Sequence, residues 1–356
     1  MLYRLWNSPR YRTKDPSKAD IFFAPIFPLP KRGHLISAQC SNVTAKRIHK
    51  ALPHLTEATA HKHLFVLSKE HYEGYLCKDW WSAPKGVFHR VMRLSYSVQQ
   101  QATKQADEYY WRERGADWLS KGCTNLVYAA KCAHLTYPNT ESVPYISNVH
   151  WPVVLPDPAA NDAKLAGSTQ GPPWADTSPR PLLMLFLGGG LHGDTRVRRM
   201  MWGMCSRYKD PKKCLQEKYD LSRGPLLKYE STFCLEPPGD SPYRRSTTDS
   251  IAMGCIPVFF SSLQEDMYSW LWEDWRTLSS VQINRTSFLR GEIDLYELLS
   301  SIPTQLLALM RRTLAQNGRK FTVSTTDDPG DSIHNILHGA VQMSQRLASS
   351  SSSSAD

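Results

Sequence analysis

Short, unbroken apolar runs alternate with stretches of helical pattern along this chain. Residues 21–26 (IFFAPI), 63–68 (HLFVLS), 181–187 (PLLMLFL) and 256–260 (IPVFF) are apolar at nearly every position. A strand with one solvated face would alternate, so runs of this length bounded by turn residues read as strands buried on both faces. The spacing predicts helices over 45–52, 194–202 and 246–253, and amphipathic helices over 292–299, 304–314 and 333–347. Residues 98–110 and 126–129 add a helix and a strand, and a Trp-rich loop (Asp79, Trp80, Trp81) precedes a further apolar segment, 87–94. Buried strands alternating with helices predict an α/β fold on parallel, doubly wound sheets.

The pattern breaks once for long. Residues 155–180 are rich in Pro, Gly, Ala, Ser and Asp and carry no apolar period, which predicts a linker or surface loop. It divides the chain into an expected first domain at 1–154 and a second at 181–347. The Ser-rich end, 348–356, is expected to be a disordered tail. A chain of 356 residues is long enough for two cores, and 41% hydrophobic with 21% charged residues is ordinary for a globular protein. No run of about 18 apolar residues occurs, and the first residues lack the apolar core of a signal peptide. The expectation is a cytosolic protein or a chain that begins after a targeting segment.

Charge distinguishes the two halves. Residues 1–150 hold 21 Lys+Arg against 11 Asp+Glu and nine of the twelve histidines, whereas the remainder holds 22 of each charge. The net charge of +10 therefore lies in the first half. That half is either a solvated basic face or one that meets an anionic polymer or membrane surface. Its lysines and arginines lack the aromatic spacing of a nucleic-acid motif, so no nucleic-acid partner is expected. Eight cysteines occur without a CxxC pair, which speaks against a zinc site. Cys205 and Cys214 flank a Lys/Pro turn that can close a small disulfide loop, and Cys234 and Cys255 are either buried thiols or partners. With two N-glycosylation sequons, at Asn42 and Asn284, these features lean toward an oxidising, secretory lumen.

The densest candidate chemistry lies in residues 231–260, STFCLEPPGDSPYRRSTTDSIAMGCIPVFF. A Pro/Gly loop leads to the pair Arg244 and Arg245. A helix start follows, with Ser246, Thr247 and Thr248 as available caps and Asp249 inside it. Gly254 stops the helix ahead of the strand. A loop, two arginines and a helix N-terminus suit a phosphorylated ligand. Upstream, the strand 181–187 ends in Gly188, Gly189 and Gly190 before a helix bearing Arg196, Arg198 and Arg199, similar to the phosphate-cradling start of a Rossmann unit. The structural alternative is an arginine pair bridging Asp240 and Asp249, with Asp249 as a plain helix cap. Trp270, Trp272 and Trp275 read as core.

The stretch FCLEPPGDSPYRRSTTDSIAMGCIPVFF resembles the signature of exostosin-type glycosyltransferases, glycosyltransferase family 47. SPRYRTKDPSKADIFFAPIF resembles the family's opening segment, HKHLFVLS its Asp-His-Phe segment, and PRPLLMLFLGGG with VRR the entry to its second lobe. The likeness covers most of residues 3–340. It departs at Lys62, where the family usually has Asp, and at residues 177–180, and the family's usual N-terminal membrane anchor has no counterpart here. The resemblance implies a GT-B architecture of two Rossmann-like lobes with an interlobe cleft. It implies sugar transfer, inverting in outcome, from a nucleoside-diphosphate sugar to a glycan or polysaccharide, with an acid-bearing acceptor as the reading of the basic first half. Arg244, Arg245 and Arg198 are then expected at the diphosphate and Asp249 at the ribose, with Ser241, Gly188 and Gly189 completing the donor set. His63 and Asp20 are candidates for the general base by position only. No obligatory metal or other cofactor is expected. Lumenal Golgi residence at the membrane and association with related transferases are implied, and a silent glycan-binding scaffold is the alternative function.

Overall fold

The computed structural model describes residues 2–24, 42–66, 86–95, 139–145, 147, 149, 180–189, 195–239, 243–261, 264, 267–324 and 330–352. The expected elements at 98–110 and 126–129, the Trp-rich loop and the linker up to 179 lie outside these residues. The chain divides into two compact units. One comprises Met1–Val143, Asp266–Trp270 and Ile336–Asp356, and the other Pro144–Glu265 and Leu271–Asn335.

The first unit holds β1 (Phe22–Ala24), β2 (His63–Val66), β3 (Met92–Ser95) and β4 (Thr140–Ser142), parallel throughout and in that spatial order. Helices α1 (Leu2–Asn7) and α2 (Asn42–Ala51) belong to it. Its core gathers Ala24, Leu55, Ala60, Phe65, Phe88 and Val91. The segment expected at 87–94 is a 3-10 turn, Val87–Arg90, followed by β3. The C-terminal helix Ser332–Ser352 runs into the serines expected to be disordered. Each added residue closes one more backbone bond on an existing helix, so propagation through Ser is cheap. Gly339 lets this helix meet the Trp270 indole, because a Cβ there would clash with the ring.

The second unit contains a five-stranded parallel sheet in the order β6-β5-β7-β8-β9. These strands are β5 (Leu182–Leu187), β6 (Cys214–Glu217), β7 (Ser231–Glu236), β8 (Ile256–Phe259) and β9 (Val281–Gln282). Helices α3 (Thr195–Tyr208), α4 (Arg223–Glu230) and α5 (Arg245–Ala252) connect them. The apolar runs expected as doubly buried strands at 181–187 and 256–260 are β5 and β8, with β8 buried along its whole length. Leu185, Leu187, Leu227, Cys234 and Cys255 form one core cluster. Disulfides join Cys205 to Cys214, tying α3 to β6, and Cys234 to Cys255, tying β7 to the entry of β8. Trp272 and Trp275 pack on Phe321 inside this unit, tilted or edge to face, as a core reading requires. Among the described residues no helix is long and apolar enough to cross a membrane.

Candidate donor-binding site

In a parallel α/β sheet the backbone turns at the carboxyl ends of the strands, and the following helices present their N-termini there. Both candidate stretches of the second unit occupy such positions. Gly188 and Gly189 leave β5 ahead of α3, and Pro237–Gly239 leave β7 ahead of α5. Arg198, one turn into α3, joins the two. Its Nε donates to the Pro238 carbonyl at 3.0 Å, Nη2 to Pro237 at 3.1 Å and Nη1 to Gly189 at 3.2 Å. Its guanidinium lies over the Phe186 ring, 5.8 Å from the centroid. Gly188 has φ +155°, and a Cβ there would stand 3.0 Å from Arg198 Nη1. Arg198 thus serves the turns themselves, holding backbone carbonyls where a free phosphate ligand was expected.

Arg244 is the N-cap of α5, in extended conformation and without a side-chain capping bond. The expected caps Ser246, Thr247 and Thr248 lie inside the helix instead. Ser246 and Thr247 turn toward Glu236 at the end of β7, whose carboxylate needs donors in a buried setting. The Arg244 side chain crosses Gly239, where a Cβ would meet its Cδ at 2.6 Å, so any other residue there would make Arg244 shift. Arg245, the first residue of α5, is about one-third exposed, yet its Nε and Nη2 atoms are buried without a hydrogen-bond partner among the described residues. The Asp249 carboxylate, one turn on, stands 3.9 Å from Nε, which leaves an ion pair without a hydrogen bond.

Asp249 is fully buried. Ser147 donates to its Oδ1 and the Tyr219 hydroxyl to its Oδ2. Burial, this bond and the carboxylate charge push the Tyr219 pKa well up, so the phenol keeps its proton. A ribose hydroxyl would reach Asp249 only by replacing one of these two donors. Beneath α5 lies a second polar group, which no spacing in the sequence announced. Lys228 on α4 donates from Nζ to Glu236 Oε1 at 2.9 Å, to Ser246 Oγ at 2.9 Å and to Ser250 Oγ. Lys228 and Glu236 are 1% and 3% exposed, so each neutralises a charge that could not stand there alone. Gln264 completes the support. It donates to the Glu236 carbonyl and accepts from the N–H groups of Phe260 and Ser261. Ser241 lies outside the described residues.

The base candidates are in the first unit, at the opposite kind of strand end. His63 opens β2 and Asp20 precedes β1, so both stand at the amino ends of their strands. They line a cavity of about 1160 Å³ together with Trp6, Arg10, Lys14 and Phe22. His63 is buried, stacks on Phe22 and donates from Nδ1 to the Thr59 carbonyl at 2.9 Å. Burial pushes its pKa below the usual histidine value, against the opposing pull of that carbonyl, and His54 and His61 lower it further. This is the setting of a satisfied core histidine. Among the described residues no group of three or more His, Cys, Asp or Glu is arranged to hold a metal ion.

The family profile described as Exostosin GT47 domain matches residues 1–288. The chain belongs to the exostosin GT47 family. Curated relatives of this exostosin GT47 chain come from Arabidopsis thaliana. Probable xyloglucan galactosyltransferase GT13 is 43% identical over 83 residues, covering 23% of this chain and 18% of that protein. Probable xyloglucan galactosyltransferase GT19 is 34% identical over 157 residues, covering 39% and 35%. Xyloglucan-specific galacturonosyltransferase 1 is 34% identical over 131 residues, covering 35% and 19%. The matched stretches therefore span about a third or less of these relatives' length. Among solved structures, the sucrose-phosphate synthase of Thermosynechococcus elongatus aligns over 90% of this chain and 81% of its own, a distant likeness at 12% identity and a TM-score of 0.39. The exostosin GT47 chain thus has an α/β fold with two parallel sheets, and its signature stretch forms the loop, helix and strand at the carboxyl edge of the second.

Proposed function

We propose that this chain is a glycosyltransferase that takes a sugar from a nucleoside-diphosphate donor and adds it to a polysaccharide acceptor, in a GT-B arrangement with the donor held by the second unit. The observation that carries the reading is Arg245. A guanidinium whose buried Nε and Nη2 find no hydrogen-bond acceptor among the described residues, at the N-terminus of α5 and the carboxyl edge of a parallel sheet, is one anion short of satisfied. A diphosphate supplies the missing acceptors. The acceptor hydroxyl oxygen forms the new bond to the anomeric carbon as the bond to the diphosphate breaks. The charge that grows on the leaving nucleotide falls to Arg245, with Arg244 beside it. The proton lost by the hydroxyl goes to a general base on the acceptor side.

Asp249 holds Arg245 in place and offers ribose an acceptor once a ribose hydroxyl displaces that of Tyr219 or Ser147. The outcome is inverting, no metal is required for binding, and the setting is the Golgi lumen, in keeping with the two disulfides. The relatives' names divide between galactosyl and galacturonosyl transfer while sharing xyloglucan. Xyloglucan-type chains are accordingly the first acceptors to try, and both sugars belong in the donor screen. If the acceptor bears acid groups, as the basic first half favours, its KM rises with salt.

The test is calorimetry with a panel of nucleoside diphosphates and their sugars. One of them should bind, and Arg245→Ala should weaken that binding at least about tenfold, the cost of one charge-assisted contact. Absence of binding to any of them at millimolar concentration would sink the reading.

A further inference from the structure

The second unit carries a feature that donor binding does not use, the sequon Asn284-Arg285-Thr286, which follows β9 and forms the N-cap and first residues of the short helix Arg285–Leu289. Three independent observations bear on it. Asn284 and Thr286 are both exposed, so the two residues that define the sequon face solvent in the folded protein. Asn284 also uses its amide one-sidedly. Its Oδ1 accepts the Ser287 N–H at 3.0 Å as a helix cap, while its Nδ2 makes no hydrogen bond among the described residues. Lastly, the disulfides Cys205–Cys214 and Cys234–Cys255 require an oxidising compartment, which in a eukaryotic cell is the one where asparagine is glycosylated.

We infer that Asn284 carries an N-linked oligosaccharide. The chemistry uses the free side of the amide. The Nδ2–C1 bond forms as the C1–O bond of a lipid-diphosphate-linked oligosaccharide breaks, one Nδ2 proton is lost, and the lipid diphosphate leaves. The carbonyl oxygen is untouched, so the cap on Ser287 survives the modification. The turn is firmly seated, because Phe288 is buried and packs on Phe260 with ring centroids 5.2 Å apart. A glycan at Asn284 therefore projects outward from an anchored surface turn and displaces no packed group. The other sequon, at Asn42, has its side chain outside the described residues and serves as an internal comparison. The inference does not depend on the donor site.

The experiment expresses the full chain behind a cleavable secretion leader in a eukaryotic host. Secreted protein is digested, and the peptide carrying Asn284 is followed by mass spectrometry before and after enzymatic glycan release. The expected result is a glycopeptide in which release converts the modified asparagine to aspartate. Occupancy should fall to nil in Thr286→Ala, which keeps the Asn284 cap, and in Asn284→Asp, which keeps a capping oxygen. Recovery of the Asn284 peptide wholly unmodified from folded, disulfide-bonded secreted protein would overturn the inference. So would a glycan on that peptide that persists in Thr286→Ala. Retained nucleotide binding in both variants would separate this outcome from any failure of the donor-site reading.

Discussion

Replacing Lys228 with Met tests how the polar layer beneath α5 is held. Met has similar length and no charge, so the packing around the stem is kept while the ammonium is removed. Lys228 is 1% exposed and all three of its N–H donors are used, on Glu236, Ser246 and Ser250. Without it, Glu236 keeps hydroxyl donors from Ser246, Thr247 and Ser250 but loses its countercharge in a buried site. Breaking a buried pair from one side typically costs about 3–5 kcal/mol, against a whole-protein stability of about 5–15 kcal/mol. Lys228→Met should therefore lower the urea midpoint by a large fraction with an unchanged slope. The double variant Lys228→Met/Glu236→Leu removes the orphaned charge as well and should recover at least half of the loss. Equilibrium unfolding of the three proteins provides the measurement. If the single variant lies within about 1 kcal/mol of wild type, or the second substitution only adds to its cost, the charge-pair argument fails.

Other expectations follow from the same geometry. Tyr219→Phe removes one of two hydroxyl donors to the buried Asp249 and should cost about 1.5–3 kcal/mol in unfolding free energy, with donor affinity altered because the Arg245–Asp249 pair is loosened. Gly339→Ala places a methyl group in clash with the Trp270 indole and should destabilise by about 1–3 kcal/mol, visible as a lower Tm and altered tryptophan fluorescence. For pH, the folded-state pKa of His63 lies below its unfolded value near 6.5, so the unfolded chain binds the extra proton first. Stability should fall as pH drops from about 6.5 toward the folded-state value, and rise as pH is raised through that window. His63→Asn should flatten that part of the profile, leaving the contribution of His61, whose pKa is also lowered by burial. An unchanged slope between pH 5 and about 6.5 in that variant would refute the assignment.

The strands β2, β5 and β8 were legible because each is a short apolar run with no alternation, and only burial on both faces produces that composition. The helix after the arginine pair was legible as well, although its N-cap proved to be Arg244, and the hydroxyl residues expected to cap it serve Glu236 instead. Local sequence ranks caps by their affinity for the first free N–H groups. It does not register a buried carboxylate nearby that needs the same hydroxyls. The base candidates show a related limit of local sequence. Proximity to a strand end could be read from residues 20 and 63, but that both fall at amino ends follows from where β1 and β2 begin.

The stretch of residues 231–260 by itself determined a great deal. It set the order of loop, helix and strand, the placing of two arginines at a helix start, and membership of the exostosin GT47 family, because these depend on contiguous residues. Tertiary structure decided how those residues divide their work. Tyr219 and Ser147 reach Asp249 across 30 and 102 residues, and Lys228 reaches Ser250 across 22. Arg198 is drawn to the carbonyls of Pro237 and Pro238. Buried charges and backbone carbonyls must find partners wherever the fold brings them, and those distances are not written in any local pattern. Among the described residues Arg245 Nε and Nη2 lack a hydrogen-bond acceptor, and that shortfall carries the proposed function.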